Sequence, residues 1–138
     1  MRKKIVAGNW KMNLNSEKAH KLLKNLESIS FPNDVEVIIA PPSIYLDSFS
    51  KAKNLFISSQ DVSPNDNGAY TGEFSAEMLS SLNLKYSIIG HSERRQYHAE
   101  GEDLICKKAY QLLKYNISPI YCCGESLENR KSKNHFQV

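Results

Sequence analysis

Several features that define other classes of protein are missing from this sequence of 138 residues. Its three cysteines, Cys106, Cys122 and Cys123, form neither a CxxC spacing nor a disulfide framework, so no metal site is predicted and the thiols are expected to be reduced. No apolar run approaches the roughly 20 residues of a membrane helix, and the N-terminus lacks the apolar segment of a secretory signal. The sequence therefore predicts a soluble, cytoplasmic protein that does not enter a membrane.

Nucleotide and nucleic-acid motifs are also absent. Neither GxGxxG nor GxxxxGK[ST] occurs, so a phosphate loop for a nucleotide cofactor is not predicted. The formal net charge is only +3, and lysine and arginine are scattered along the chain rather than clustered. The short basic stretch NRKSK at 129–133 is more typical of a solvated helix start than of a nucleic-acid surface. No nucleic-acid partner is predicted.

What the sequence does contain is an alternation of short apolar runs and helical patterns. The runs predict strands at 4–8, 35–41, 55–60, 86–90 and 118–124. Between the strands, helical spacing predicts two helices whose N-caps are Ser16 and Ser75. It also predicts a weaker helix over 43–53 and a clear helix over 102–115. A further helix is predicted to start at Ser126. This order predicts one α/β domain over 1–138, and leaves open whether its parallel sheet is doubly wound or a barrel.

Polar side chains follow several of the predicted strands, at the edge where α/β proteins bind ligands. Asn9 and Lys11 follow the first strand, Gln60 the third, His91 the fourth and Glu125 the fifth. Lys11 beside an amide is suited to an anionic substrate, although a solvated lysine explains its position equally well.

His91 lies between a buried strand and a predicted helical turn at 92–95. The positive end of that turn favours a neutral imidazole, which could polarise a carbonyl group by hydrogen bonding. A structural histidine that caps the turn is the alternative. Glu93 is predicted to contact Lys11, whereas Arg94 and Arg95 are predicted to form structural ion pairs.

Four blocks of the sequence, AGNWKMN, SQDVS followed by GAYTGEFSAEML, IIGHSERR and CCGESLENR, resemble the N-terminal part of the triosephosphate isomerase family in order and spacing. The resemblance implies a (β/α)8 barrel that interconverts dihydroxyacetone phosphate and glyceraldehyde 3-phosphate in glycolysis and gluconeogenesis, without metal or cofactor. It implies that Asn9 and Lys11 bind substrate and that His91 is the electrophile. A neutral histidine at a helix N-terminus is a known property of this family, so it is not independent support.

The resemblance also implies roles around this site. Ser92, Glu93 and Cys122 would support it, and the loop containing Thr71 would reach the neighbouring subunit of a homodimer. Gln60 and Arg95 would brace that subunit interface.

The chain departs from the family in length, because a complete barrel takes about 250 residues. It is expected to form a partial barrel of about five strands and four helices. The family's catalytic glutamate, its lid and its later phosphate loops have no counterpart, so the chain alone is expected to be inactive. It is interpreted as the N-terminal portion of a longer enzyme. The alternatives are half of a split enzyme that a second chain completes, or a non-catalytic half-barrel that self-associates through its edges or binds phosphorylated anions.

Overall fold

The structure is a computed structural model that describes residues 3–134 and Phe136. Five strands form one parallel sheet, each paired with the strand that follows it in sequence. The strands are β1 (Lys4–Asn9), β2 (Val35–Ala40), β3 (Phe56–Ser59), β4 (Tyr86–Ile89) and β5 (Ser118–Tyr121). All five predicted strands are confirmed, and β5 ends three residues earlier than predicted.

The sequential strand order distinguishes the two architectures that the sequence left open. A doubly wound sheet reverses its strand order at a switch point, whereas a β/α barrel adds each strand beside the last. The order β1-β2-β3-β4-β5 has no reversal, so the fold is part of a β/α barrel. Within the described part of the chain, β1 and β5 each have one neighbouring strand, and Ile5 and Val6 of β1 remain 54% and 60% exposed.

Helices connect the strands and cover the sheet. They are α1 (Ser16–Glu27), α2 (Leu46–Phe49), α3 (Ala76–Ser81), α4 (Ser92–Tyr97), α5 (Glu102–Lys114) and α6 (Leu127–Lys131). The weak helix predicted over 43–53 is a 3-10 turn, Ser43–Tyr45, followed by the single turn of α2. The helical turn predicted at 92–95 extends into α4, so two helices rather than one connect β4 to β5. With the further helix predicted at Ser126, which is α6, the predicted helices are found in the described residues, and α4 is added to them.

The predicted N-caps at Ser75 and Ser126 are confirmed, because their hydroxyl groups accept hydrogen bonds from Met78 N and Asn129 N. The prediction for Ser16 was wrong. Asn15 is the N-cap of α1, and its side-chain oxygen accepts a hydrogen bond from Lys18 N at 3.1 Å. Both residue types cap well, and sequence spacing did not separate these neighbours.

The hydrophobic core lies between the sheet and its covering helices. Ile39, Ile57 and Ile89 contribute from the three central strands. Buried side chains from α1, α2, α3 and α5 pack in the same cluster, among them Leu23, Phe49, Leu79, Ile105 and Leu112. Each such side chain contributes about 1.5–3 kcal/mol of transfer free energy when fully buried.

Across the described residues, no helix has the length and apolar character needed to cross a membrane.

Candidate functional site

A cleft with a volume of about 720 Å³ lies at the carboxyl ends of the strands. Five of the predicted site residues line it together: Asn9 and Lys11 after β1, Gln60 after β3, and His91 and Glu93 after β4. Because parallel strands present their carboxyl ends at one edge, residues up to 84 positions apart in sequence meet here. The structure thus brings most of the predicted site into one cavity.

Lys11 adopts an unusual backbone conformation in this cleft. Its φ is 52°, in the left-handed region that costs an L-residue about 1–2 kcal/mol. Hydrogen bonds from Lys11 N to Asn9 Oδ1 (2.8 Å) and from Gln60 Nε2 to Lys11 O (3.0 Å) hold it there. Gln60 Nε2 also donates to Ala40 O at 2.8 Å, which ties the loop to the end of β2. Strain that neighbouring residues maintain at a cleft is typical of functional positions.

The side chain of Lys11 pairs with Glu93 across the cleft. Lys11 Nζ lies 2.6 Å from Glu93 Oε1, so the contact predicted from the sequence is confirmed. This hydrogen bond lowers the pKa of Glu93 below its ordinary value. A carboxylate that stays ionised keeps Lys11 oriented as an ammonium group facing the cavity.

His91 is itself the N-cap of α4, and it hydrogen-bonds through its imidazole. Glu93 N donates to His91 Nδ1 at 3.2 Å. An amide N–H can only donate, so Nδ1 is the acceptor, and the neutral ring carries its proton on Nε2. Glu93 Oε2 lies 3.4 Å from the same Nδ1, a contact that is an ion pair only in the imidazolium form. We assign the neutral form because its Nδ1 can accept the hydrogen bond from Glu93 N. In this form Nε2–H remains available as a donor.

The remaining predicted site residues lie outside the lining of this cavity. Ser92 is the first residue of α4 and is exposed, and Thr71 is exposed in the loop between β3 and α3. Cys122 is partly buried just after β5, and burial raises the pKa of its thiol. Arg95 donates to Gly90 O (2.8 Å) and Cys122 O (3.2 Å), which joins the ends of β4 and β5 within the chain.

An ionic cluster shares Asp61 and Arg94 with the lining of the cleft, and the sequence predicted no role for three of its residues, Asp61, Glu100 and Lys108. Lys108 Nζ lies 2.6 Å from Asp61 Oδ1 and 2.5 Å from Glu100 Oε1. Arg94 pairs with the same two carboxylates, at 3.0 Å from Asp61 Oδ2 and 2.6 Å from Glu100 Oε1. The prediction that Arg94 forms structural ion pairs is confirmed, and we call these four residues the Lys108 cluster.

A signal for two members of the Lys108 cluster was present in the sequence. Lys108 falls three residues after Ile105 and four before Leu112, on the apolar face of α5, where a lysine needs a buried counter-charge. Asp61 follows Gln60 at the end of β3 and was available as a strand-end residue. Glu100 lies in the connection between α4 and α5, where no periodic pattern marks it.

The fold and the cleft together define a class of protein. A parallel β/α-barrel segment that gathers amide, ammonium and imidazole groups at the carboxyl ends of its strands has the arrangement in which barrel enzymes build their active sites. No group of three or more histidine, cysteine, aspartate or glutamate residues within the described ranges is placed to hold a metal ion. A family model described as triosephosphate isomerase matches residues 4–138. The chain belongs to the triosephosphate isomerase family.

Curated relatives agree with this family. The triosephosphate isomerase of Alkaliphilus oremlandii is 43% identical over 141 residues, which covers 100% of this chain and 57% of the relative. The corresponding protein of Thermoanaerobacter pseudethanolicus is 40% identical with the same coverage. That of Xanthomonas axonopodis pv. citri is 44% identical over 135 residues, 96% of this chain and 54% of the relative. The chain spans a little over half the length of these relatives.

Proposed function

We propose that this chain supplies the lysine and histidine side of a triosephosphate isomerase active site, in a barrel that further β/α units complete. The substrates are dihydroxyacetone phosphate and glyceraldehyde 3-phosphate, the reaction is a proton transfer within the triose, and it needs no cofactor or metal. This places the completed protein in glycolysis and gluconeogenesis, in the cytoplasm.

The observation that carries the proposal is the geometry of Lys11, Glu93 and His91 at one cavity. Glu93 contacts Lys11 Nζ through its carboxylate and His91 Nδ1 through its amide, so the two functional groups share one support. Removing a proton beside a carbonyl group places negative charge on the substrate oxygen atoms. Lys11 offsets that charge and the charge of the phosphate, while His91 Nε2–H donates to the oxygen atoms and moves a proton between them. Asn9 binds the substrate beside Lys11.

The base that removes the carbon-bound proton is assigned to a part of the enzyme beyond β5. Glu93 is engaged with Lys11, and its lowered pKa makes it a poor proton acceptor. Family resemblance implies a glutamate after a sixth strand for this role. A positioned base contributes about 10²- to 10⁴-fold to the rate, so the chain alone is expected to be essentially inactive.

We assign the loop containing Thr71 to a homodimer contact. The exposure of Thr71 and of Tyr70, which is 47% exposed, supports this assignment. Gln60 and Arg95 bond within the chain, so they would brace the interface by fixing the loops behind it. Ser92 and Cys122 would support the site in the same indirect way.

A second candidate is a half-barrel that self-associates or that a second chain completes. The exposed apolar residues of β1 favour this candidate, as does its outer edge, which no strand of the described residues occupies, because such edges pair readily with other strands. Sizing chromatography of the 138-residue chain tests it. A discrete, folded dimer without isomerase activity would support self-association, and a monomer would count against it.

The proposed function is tested with a fusion of this chain to the part of the Alkaliphilus oremlandii relative that lies beyond the matched region. The chain alone should show no isomerase activity, and the fusion should be active. In the fusion, Lys11→Met or His91→Gln should lower kcat about 10²- to 10³-fold. Lys24→Met, at an exposed lysine of α1, is the matched control and should have little effect. A folded fusion that is inactive, or one that tolerates both site substitutions, would contradict the proposal.

A further inference from the structure

The short helix that positions His91 has little apolar packing to hold it in place. Helix α4 has six residues, and none of them is buried. Arg94 N and Arg95 N donate to His91 O at 2.9 Å and 3.1 Å, so the histidine backbone moves with the first turn of this helix. The position of His91 therefore depends on what fixes the side chains of α4.

Arg94 anchors this turn to two other parts of the fold. Its guanidinium group contacts Asp61, at the end of β3, and Glu100, in the connection to α5. A planar guanidinium group with two carboxylate partners fixes direction as well as distance, since its donors lie in a rigid fork. Lateral or rotational movement of α4 would break at least one of these contacts.

Lys108 holds the two carboxylates that receive Arg94. The side chains of Lys108 and Glu100 are each 2% exposed, and Lys108 Nζ contacts both Glu100 and Asp61. The two cations and two anions balance, whereas removal of either cation leaves a buried negative charge. Arg94 and Lys108 both contact Oε1 of Glu100, and its Oε2 is buried without a hydrogen-bond partner among the described residues, so no other group there would replace a lost cation.

We propose that the Lys108 cluster is a positioning device for His91, with Arg94 as the connecting residue and Lys108, Asp61 and Glu100 as its fixed frame. It holds α4 so that Glu93 N meets His91 Nδ1 and Nε2–H faces the cleft. The catalytic consequence rests on the function proposed above, while the effect on the imidazole itself does not.

Arg94→Lys tests the device, because it keeps the positive charge and removes the two-point fork. In the active fusion, kcat should fall about 10- to 100-fold with KM changed less than about 3-fold, since substrate still meets Lys11 while the electrophile is misplaced. Lys114→Met is the matched control. It removes a lysine from the same helix as Lys108, one that pairs with Asp66 at the surface, and it should leave kcat unchanged.

A second readout does not need activity. Two-bond ¹H–¹⁵N spectra of the 138-residue chain report which imidazole nitrogen is protonated. The parent chain and Lys114→Met should show His91 with Nδ1 as acceptor and Nε2 protonated. Arg94→Lys should show exchange broadening or a mixture of tautomers at His91, with His20 unchanged as the internal reference.

The outcomes separate the two proposals. If the parent fusion is inactive but Arg94→Lys alters the His91 spectrum, the proposed function fails and the positioning role stands. If Arg94→Lys changes neither the spectrum nor kcat, the positioning role is refuted. If Arg94→Lys does not fold, Asp61→Asn, which keeps the side-chain size and removes one charge, is measured in the same two ways. An unchanged His91 in that variant likewise refutes the role.

Discussion

Replacing Lys108 by methionine removes a deeply buried charge while keeping a side chain of similar length. The ammonium group lies 2.6 Å from Asp61 Oδ1 and 2.5 Å from Glu100 Oε1, and its side chain is 2% exposed. Without it, Arg94 faces two carboxylates alone, and one negative charge is left uncompensated. Removing one partner of a buried ion pair costs about 3–5 kcal/mol. We expect the free energy of unfolding to fall by that amount, or the cooperative transition to disappear.

Urea denaturation followed by circular dichroism measures this loss. The matched control is Lys114→Met, which removes a half-exposed lysine of the same helix that pairs with Asp66 at the surface. Water screens such a surface pair, so the control should remain close to the parent chain. The contrast between two lysines of one helix isolates burial as the cause.

A second substitution tests whether the cost is electrostatic. Glu100→Gln in the Lys108→Met background removes the uncompensated charge, and we expect it to restore about 1–3 kcal/mol, although Glu100→Gln alone destabilises the parent. Simple additivity of the two losses, or a loss for Lys108→Met no larger than that for Lys114→Met, would refute the electrostatic reasoning. A loss that Glu100→Gln cannot reduce would assign the cost to packing instead.

Two further predictions concern other parts of the chain. The hydrogen bond that Tyr86 donates to Glu36 raises the pKa of Tyr86 to about 12. An absorbance titration at 295 nm should therefore show one tyrosine that ionises later than the others, and Tyr86→Phe should remove that step. The bond contributes about 1 kcal/mol of stability after solvent screening, which should be present below pH 10 and lost between pH 10 and about 12. Ala99 has a φ of 52°, so Ala99→Gly should raise the free energy of unfolding by about 0.5–1 kcal/mol, whereas Ala109→Gly inside α5 should lower it by about 1 kcal/mol. The first expectation would be contradicted if all tyrosines ionised in one step near pH 10. The second would be contradicted if both glycine variants changed the free energy of unfolding in the same direction.

The local elements of the fold were predictable because their signals are local. Apart from Glu36, the run VEVIIA is apolar on both faces, and β2 is buried toward its C-terminal end, as is typical of a central parallel strand. The choice between Asn15 and Ser16 as a cap failed, because a one-residue shift changes neither composition nor periodicity. Barrel and doubly wound sheets differ in which strands pair, and strand pairing is a non-local property that the alternation of elements does not encode.

The residues of the site likewise divide into those with a local sequence signal and those placed by non-local packing. Lys11, Gln60 and His91 were identifiable because each directly follows a strand, and strand ends of a parallel sheet converge. Lys108 lies inside a helix far from any strand end, so its place beside the site follows only from the packing of α5 against the sheet. Its interruption of an apolar stripe was a usable signal that a buried partner exists, but it did not identify Asp61 and Glu100 as that partner.

Burial explains why two lysines with similar contacts have different roles. Lys11 lies 2.6 Å from Glu93, and the two side chains are 49% and 46% exposed, so water screens their attraction strongly. An incoming phosphate can therefore compete for the Lys11 ammonium group at little cost. Lys108 forms a contact of similar length with Glu100, and because both side chains are buried, water screens their Coulomb attraction much less. Such a lysine cannot release its partners without leaving buried charges unpaired. Of the two lysines, Lys11 is therefore the one to which the proposed function assigns the anion.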